Sequence, residues 1–465
     1  MNVGLLFQQT GNMGGRDEVR KSVDKPVLPE GLDGVLILLV LSLLGLGLVM
    51  VCSASISIAD SKTSTPFFYL YRQFIAAGLG VLGAMMIFKI RLVYWEKSGM
   101  LLLAIAFVMV ILVLVPGVGK TVNGSTRWIP VGILNLQVSE IVKLFVMIYV
   151  AGYLVRHGEQ VRSSLWGFIK PMMMVGLICL FLLLEPDFGA SVVIMMTVLG
   201  MTYLGGVRFI QFVTVLALLG SAATLLVVSS PYRLQRLTAF VNPWADPFDS
   251  GFQLTQSLIA IGSGGWAGSG LGGSVQKLFY LPEAHTDFLF AVLAEELGLI
   301  GVIVVIGLYA ALVFRVFMIA RKAESCGKQF AAYLSYGIGI WLGLQAFINI
   351  GVNMGVLPTK GLTLPLMSYG GSSLIVVSAA IGLLLRVAYE CSNGQAMPRK
   401  TARGKTASGK SENGKTAVKH SEPKKQQQKR EKTKKTRKPG VAARSTTRGS
   451  PNRTKSVRDL IRDGG

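Results

Sequence analysis

Ten apolar runs, most of them close to the length needed to cross a bilayer, follow one another between Gly34 and Leu385. A membrane-spanning helix needs about 20 apolar residues at 1.5 Å rise each. The runs are Gly34–Cys52, Phe74–Phe88, Gly99–Val115, Ile141–Val155, Pro171–Leu184, Phe188–Leu204, Phe209–Ser229, Phe288–Phe314, Ala331–Ile350 and Leu366–Leu385. Buried helices of soluble domains rarely reach this length or recur this often, and composition agrees. The chain is 51% hydrophobic and 15% charged, with a mean hydropathy of +0.53, where a soluble domain carries about a quarter charged residues. The expectation is an all-α polytopic membrane protein of ten spans, with only the turn Glu185-Pro186-Asp187 between the fifth and sixth.

Charge orients such a chain. Net charge is +23, and Pro398–Gly465 holds 22 Lys and Arg against 5 Asp and Glu, or +17 of it. Cytoplasmic loops are enriched in Lys and Arg. Alternate short loops carry Lys89, Arg91 and Lys97; Arg156, Arg162 and Lys170; Arg208; and Arg315, Arg321, Lys322 and Lys328. Both termini are therefore expected in the cytoplasm. The division reads as a cytoplasmic segment 1–33, a membrane domain 34–390 and a basic tail 391–465. The tail has almost no apolar periodicity and should be disordered. Attached to a membrane domain, it fits anionic membrane lipids, at about 1 kcal/mol per basic residue near the surface, and not nucleic acid. Cys52, Cys179, Cys326 and Cys391 have no disulfide or metal spacing and read as packing residues. About thirty polar residues precede the first run, with no small-residue cleavage site after it, so no cleavable signal is expected.

The longest exterior segment, 230–286, lies between the seventh and eighth spans, and connections of that length are usually functional. It ends in Tyr280-Leu-Pro-Glu-Ala-His-Thr-Asp287. A carboxylate at the start of a long apolar helix can cap it by accepting free backbone N–H groups. Alternatively, Asp287 is a general base at the mouth of a membrane cavity. Glu283 and His285 are near enough to tune it or to help hold a divalent cation, Mg or Mn, although one His and two carboxylates do not specify a geometry. Glu140 and Lys143 share a helix face in the fourth span. A charge in mid-membrane costs about 2.5–3.5 kcal/mol, so it should face protein or water. The two form either an internal ion pair or a polar lining for an anionic head group. Arg127, in the exterior turn 122–129, suits a phosphate or carboxylate.

Other features carry less. Glu295 and Glu296 have no basic neighbour one turn away and need partners from other helices. Gln345, Asn349 and Asn353 make a polar stripe of the kind that knits helices together. The glycine-rich run Ser263–Gly273 is either a phosphate cradle or, more in keeping with its setting, a re-entrant turn. Gly117-Val-Gly-Lys-Thr121 imitates a nucleotide-binding loop but has Leu114 where that motif needs glycine.

The ordered combination of Asn123-Gly-Ser-Thr-Arg-Trp128, Leu184-Glu-Pro-Asp-Phe-Gly189, Leu281-Pro-Glu-Ala-His-Thr-Asp-Phe288 and the long run Gln345–Ser373 resembles the SEDS family (shape, elongation, division, sporulation) over about Gly34 to Glu390. Pro358-Thr-Lys-Gly361 resembles its division branch more than its elongation branch. The resemblance implies a ten-span fold and a peptidoglycan glycosyltransferase that polymerises lipid II. It also implies a class B penicillin-binding protein as partner, among other division membrane proteins. The family's catalytic aspartate matches Asp287, its exterior arginine Arg127 and its fourth-span lysine Lys143. The family's proline before that lysine is replaced here by Val138, and the basic tail has no counterpart in the shared core. Arg127 and Lys143 are the candidate cations for a diphosphate leaving group, with Arg233, Arg236 and Lys277 in reserve. The rival readings are a lipid II flippase, supported by the same intramembrane charges, and a noncatalytic scaffold that recruits the transpeptidase.

Overall fold

The computed structural model describes residues 31–122, 125–132, 134–229, 231–249, 251–358 and 361–395. The basic tail from residue 396 onward lies outside them, as do Thr359 and Lys360 of the 358–361 motif. An apolar helix stands at each of the ten expected places. These are α1 (Gly34–Thr63), α2 (Phe68–Lys89), α3 (Leu92–Leu114), α4 (Val138–Ser163), α5 (Leu165–Leu184), α6 (Phe188–Leu204) and α7 (Phe209–Val228). After α8 (Pro231–Val241) and α9 (Phe252–Ser263), the series resumes with α10 (Leu289–Ser325), α11 (Gln329–Asn353) and α12 (Gly371–Gln395). Eight of the ten are long and apolar enough to cross a membrane; α6 and the Phe209–Ala222 part of α7 are shorter apolar helices. The protein is a multi-pass helical membrane protein.

Three local features depart from the expectation. The segment 230–286, read as one long exterior connection, contains α8, α9 and a short 3-10 turn at Pro243–Ala245. The segment between α3 and α4 folds into a three-stranded antiparallel sheet, β1 (Lys120–Val122), β2 (Ser125–Val131) and β3 (Leu134–Gln137), so Arg127 sits on a strand and not in a turn. The last span starts at Gly371 and not Leu366, because residues 361–370 form an irregular segment with Leu366 at φ +67°. Its backbone groups are held by side chains of the bundle: Gln73 of α2 bonds Ser368 O and Gly370 N, and the Tyr309 hydroxyl of α10 donates to Pro365 O. Non-helical backbone at membrane depth is tolerated where protein satisfies it in this way.

Helix α4 is enclosed by α3, α5, α6, α11 and α12, and nearly all of Val138–Leu154 is buried. Small residues bring α2 and α12 together: a Cβ on Gly382 would lie 2.6 Å from Ala84 O, and one on Gly80 2.7 Å from Ser378 Oγ. Close approach of backbones at small residues is how helices associate in lipid, where no hydrophobic drive separates helix from solvent.

Helix α10 is broken at Gly298, whose φ of +64° and ψ of −163° are accessible only to glycine. The glycine-rich run fills the break. Ser269 N and Gly270 N donate to Glu295 O and Glu296 O, while Leu299 N and Ile300 N donate to Gly265 O and Trp266 O. It is therefore a re-entrant turn, and these amides are spent on the helix. The acidic pair anchors the following residues. Glu295 accepts from Ser274 Oγ and Val275 N, and Glu296 accepts from Lys277 Nζ at 2.8 Å and Ser53 Oγ at 2.7 Å. A Cβ at position 298 would lie 2.4 Å from Gly268 N. Gly298→Ala should thus lower stability by at least about 1–3 kcal/mol, the cost of such a backbone conformation alone, read as a lower thermal midpoint in detergent. An unchanged midpoint would show that the turn is not fixed by this residue.

Candidate active site

Helix ends and loops on the face carrying the sheet enclose a cavity of about 620 Å³. Asp287 lines it, immediately before α10, together with Arg127, Glu283 and His285. Four of the residues singled out in the sequence are thereby brought together. Glu140, Lys143 and Lys277 are not among its lining. Arg233 and Arg236 fall on α8, with side chains outside the described set.

Asp287 does not cap its helix. Phe288 occupies the cap position of α10 with no side-chain cap bond, and Asn353 Oδ1 on α11 accepts from Ala291 N at 3.2 Å instead. Between the two readings of Asp287, the capping role is filled by another residue. The polar stripe of α11 instead fixes the aspartate's backbone. Asn349 Nδ2 and Asn353 Nδ2 donate to Asp287 O at 2.9 and 3.0 Å, and Asn349 Nδ2 also reaches Leu362 O at 2.6 Å. Its carboxylate faces Gly361, where a Cβ would lie 3.3 Å from Oδ2. Burial raises its pKa to about 7, the Glu283 carboxylate adds to the rise, and Arg127 opposes it. A base with this pKa can be half ionised near neutrality, where proton transfer is most efficient.

Arg127 is aimed by the turn between α5 and α6. Its Nε donates to Glu185 O at 3.2 Å, its Nη2 to Pro186 O at 2.6 Å and to Ser125 Oγ at 3.1 Å, and Nη1 lies 3.9 Å from Asp187 Oδ1. Gln137 at the end of β3 reaches Asp187 Oδ2 at 3.4 Å. Glu185 is 1% exposed, and neither carboxylate oxygen has a partner among the described residues. Burial, with Asp187 beside it, pushes its pKa up to about 8 against the pull of Arg127. The acid is thus mainly neutral at pH 7, and the carboxylate paired with the arginine is that of Asp187.

The two alternatives for Glu140 and Lys143 resolve into the internal pair. Lys143 is fully buried, with Nζ 2.9 Å from Glu140 Oε1, 2.7 Å from Gln345 Oε1 and 5.2 Å from the Trp341 ring centre. Its link to the cavity is indirect: Gln345 Nε2 donates to Thr363 O, and Thr363 lines the wall. Lys277 is engaged with Glu296, as described above, so it is a structural cation of the broken helix.

His285 packs against Tyr69 and Tyr369, with ring centres 4.6 and 5.4 Å away, and accepts from Tyr369 N through its carbonyl. Burial holds its imidazole below the usual pKa. Glu283 turns aside at φ +57° and takes the Thr286 hydroxyl at 2.8 Å. Among the described residues no three His, Cys, Asp or Glu side chains gather as a metal-ligating group. The sequence reading missed Tyr69, Tyr369, Lys62, Arg72 and Thr363, all of which line the cavity. Aromatic and basic residues at span ends are common membrane-interface anchors, so nothing local distinguished them.

Comparison with known proteins places this geometry. The family model of FtsW, RodA and SpoVE, described as cell cycle proteins, matches residues 34–393. The probable peptidoglycan glycosyltransferase FtsW of Thioalkalivibrio sulfidiphilus is 58% identical over 332 residues, covering 71% of this chain and 83% of that protein. The protein of the same name from Coxiella burnetii is 55% identical over 335 residues, covering 72% and 90%. Among solved structures, a chain of a peptidoglycan synthase complex, described as coordinating polymerization and crosslinking, aligns with a TM-score of 0.64 at 30% identity, covering 77% of this chain and 98% of that one. The rod shape determining protein RodA of Thermus thermophilus aligns with a TM-score of 0.57, also at 30% identity, covering 77% and 96%.

Proposed function

We propose, for a chain that belongs to the cell cycle protein family of FtsW, RodA and SpoVE, that it is a peptidoglycan glycosyltransferase polymerising lipid II at the division septum. The observation that carries the reading is Asp287: a carboxylate on the cavity wall, not spent on capping its helix and raised to a pKa of about 7. Asp287 takes the proton from the 4-hydroxyl of the incoming GlcNAc. That oxygen bonds to the anomeric carbon of the strand's terminal MurNAc as the bond to the diphosphate oxygen breaks. The result is inversion and release of undecaprenyl diphosphate. Negative charge builds on the departing oxygen, and Arg127, already oriented by three carbonyl and hydroxyl acceptors, is the fixed cation that meets it. Lys143 acts from behind through Gln345 and Thr363.

The cavity face is then periplasmic. With α6 and α7 counted as spans, both termini are cytoplasmic, in keeping with the Lys and Arg of the opposite loops. A class B penicillin-binding protein is the proposed partner, with other division membrane proteins around it, and anionic lipid is the proposed contact of the basic tail.

The reading is tested by supplying purified chain, its penicillin-binding partner and lipid II, and resolving glycan products by length. Polymer formation supports it. Transfer of labelled lipid II across liposomes without consumption would establish the flippase, and partner recruitment without either activity the scaffold. A pH profile adds an independent check. Asp287 must be ionised to accept the proton, so kcat/KM should fall about tenfold per pH unit below about 7. A flat profile between pH 5 and 7 would remove the aspartate from this role.

A further inference from the structure

Helix α12 begins on the cavity with donors to spare. Its first internal bond runs from Leu374 N to Gly370 O, which leaves the amides of Gly371, Ser372 and Ser373 with no partner among the described residues. All three residues line the cavity. Ser372 is 4% exposed, and its hydroxyl has no partner among the described residues, whereas that of Ser373 accepts from Thr363 Oγ1. On the same wall His285, 8% exposed, has an Nδ1 without a partner among the described residues. Lys62, in the last turn of α1, and Arg72 of α2 add two positive charges to the lining. Free amides at the start of a 25-residue helix, buried unpartnered polar side chains and two cations make a site for a phosphate group. None of these groups belongs to the Arg127 corner, which is built by β2 and the turn between α5 and α6.

The reaction proposed above joins two lipid-linked sugars, so two diphosphates must be held at once. We infer that the N-terminus of α12, Gly371-Ser372-Ser373, with Lys62 and Arg72, binds the diphosphate of one lipid-linked substrate while Arg127 serves the other. This rests on the polymerase reading for its substrate class, but the binding of a diphosphate is separable from turnover.

The test uses the full chain in nanodiscs, with undecaprenyl diphosphate as a directly measured ligand, and then with its partner and lipid II. Ser372→Asp places a carboxylate on the same amides; such a charge favours a helix N-terminus, so folding is retained. Ser372→Asn is the neutral control. Ser372→Asp should weaken undecaprenyl diphosphate binding at least about tenfold, and Ser372→Asn much less. With preformed strand saturating, a raised KM for lipid II assigns the subsite to the acceptor; with lipid II saturating, a raised KM for the strand assigns it to the donor. Combined with Arg127→Gln, the effects should multiply, as for independent sites. Unchanged diphosphate binding and unchanged KM values in a Ser372→Asp protein with the parent's thermal midpoint would overturn the inference. Should that variant not fold, Lys62→Glu, at an exposed position, is read in its place; weaker undecaprenyl diphosphate binding is expected, and an unchanged affinity there is equally decisive. If the parent fails to polymerise lipid II, the functional reading fails. The direct binding measurement still decides whether the site takes a diphosphate.

Discussion

Asp287→Asn should slow glycan polymerisation by about 10²–10⁴-fold, the usual contribution of a positioned acid or base, with lipid II affinity close to the parent's. The substitution keeps the shape of the side chain. It leaves untouched the two amide bonds from Asn349 and Asn353, which end on the Asp287 backbone carbonyl. It should not disturb the start of α10, because Asn353 and not Asp287 receives the helix amide. A loss of rate with the parent's thermal midpoint is therefore a chemical effect. Asp287→Glu adds one methylene and carries the carboxylate away from its place beside Gly361, where a Cβ would lie 3.3 Å from Oδ2. A displacement of about 1 Å in a reacting group can cost about 10²-fold, so glutamate should rescue only part of the rate. A parent-like rate for Asp287→Asn would sink the assignment and move the search to Glu283.

How much of this was legible beforehand depends on the distance between cause and effect along the chain. Helix positions were, because a run such as Gly34–Cys52 declares its solvent in every residue. The class of the protein follows from that. The sheet at 120–137 was not: its strands are short, and its second strand ends in Ile129-Pro130-Val131, beside glycines that read as a turn. Nor was the break at Gly298, since a single glycine in an apolar helix is ordinary until the run 264–270 is seen inserted against it. The same holds for the site. Asp287 stood out as a carboxylate at a helix start, but whether it capped depended on Asn353, sixty-six residues later. Arg127 was visible as an isolated charge; the Glu185–Asp187 turn that aims it lies fifty-eight residues away. For Lys277 the sequence showed a lone cation and, at Glu296, a carboxylate in need of a partner from elsewhere; that the two meet across nineteen residues depends on the inserted run 264–270.

Lys143→Met is the substitution with the largest expected effect on the fold. It leaves Glu140 buried in the bundle without its cation, and breaking one side of a buried pair costs about 3–5 kcal/mol. Oε2 of Glu140 already lacks a partner among the described residues, so no second donor takes up the charge. The purified variant should show a clearly lower thermal midpoint in detergent. Adding Glu140→Gln removes the stranded charge, and buried pairs replaced together are often near neutral, so the double variant should recover most of that midpoint. Activity should not return with it. Lys143 Nζ and Trp341 Nε1 both donate to Gln345 Oε1, and this orients the amide so that its Nε2 holds Thr363 O in the cavity wall. Methionine cannot supply that donor, so the wall loses a fixed point although the bundle is whole. Stability regained without polymerisation is thus the signature of a positioning residue. If polymerisation recovers in step with the midpoint, the pair serves the fold alone, and the path from Lys143 to the cavity carries no function.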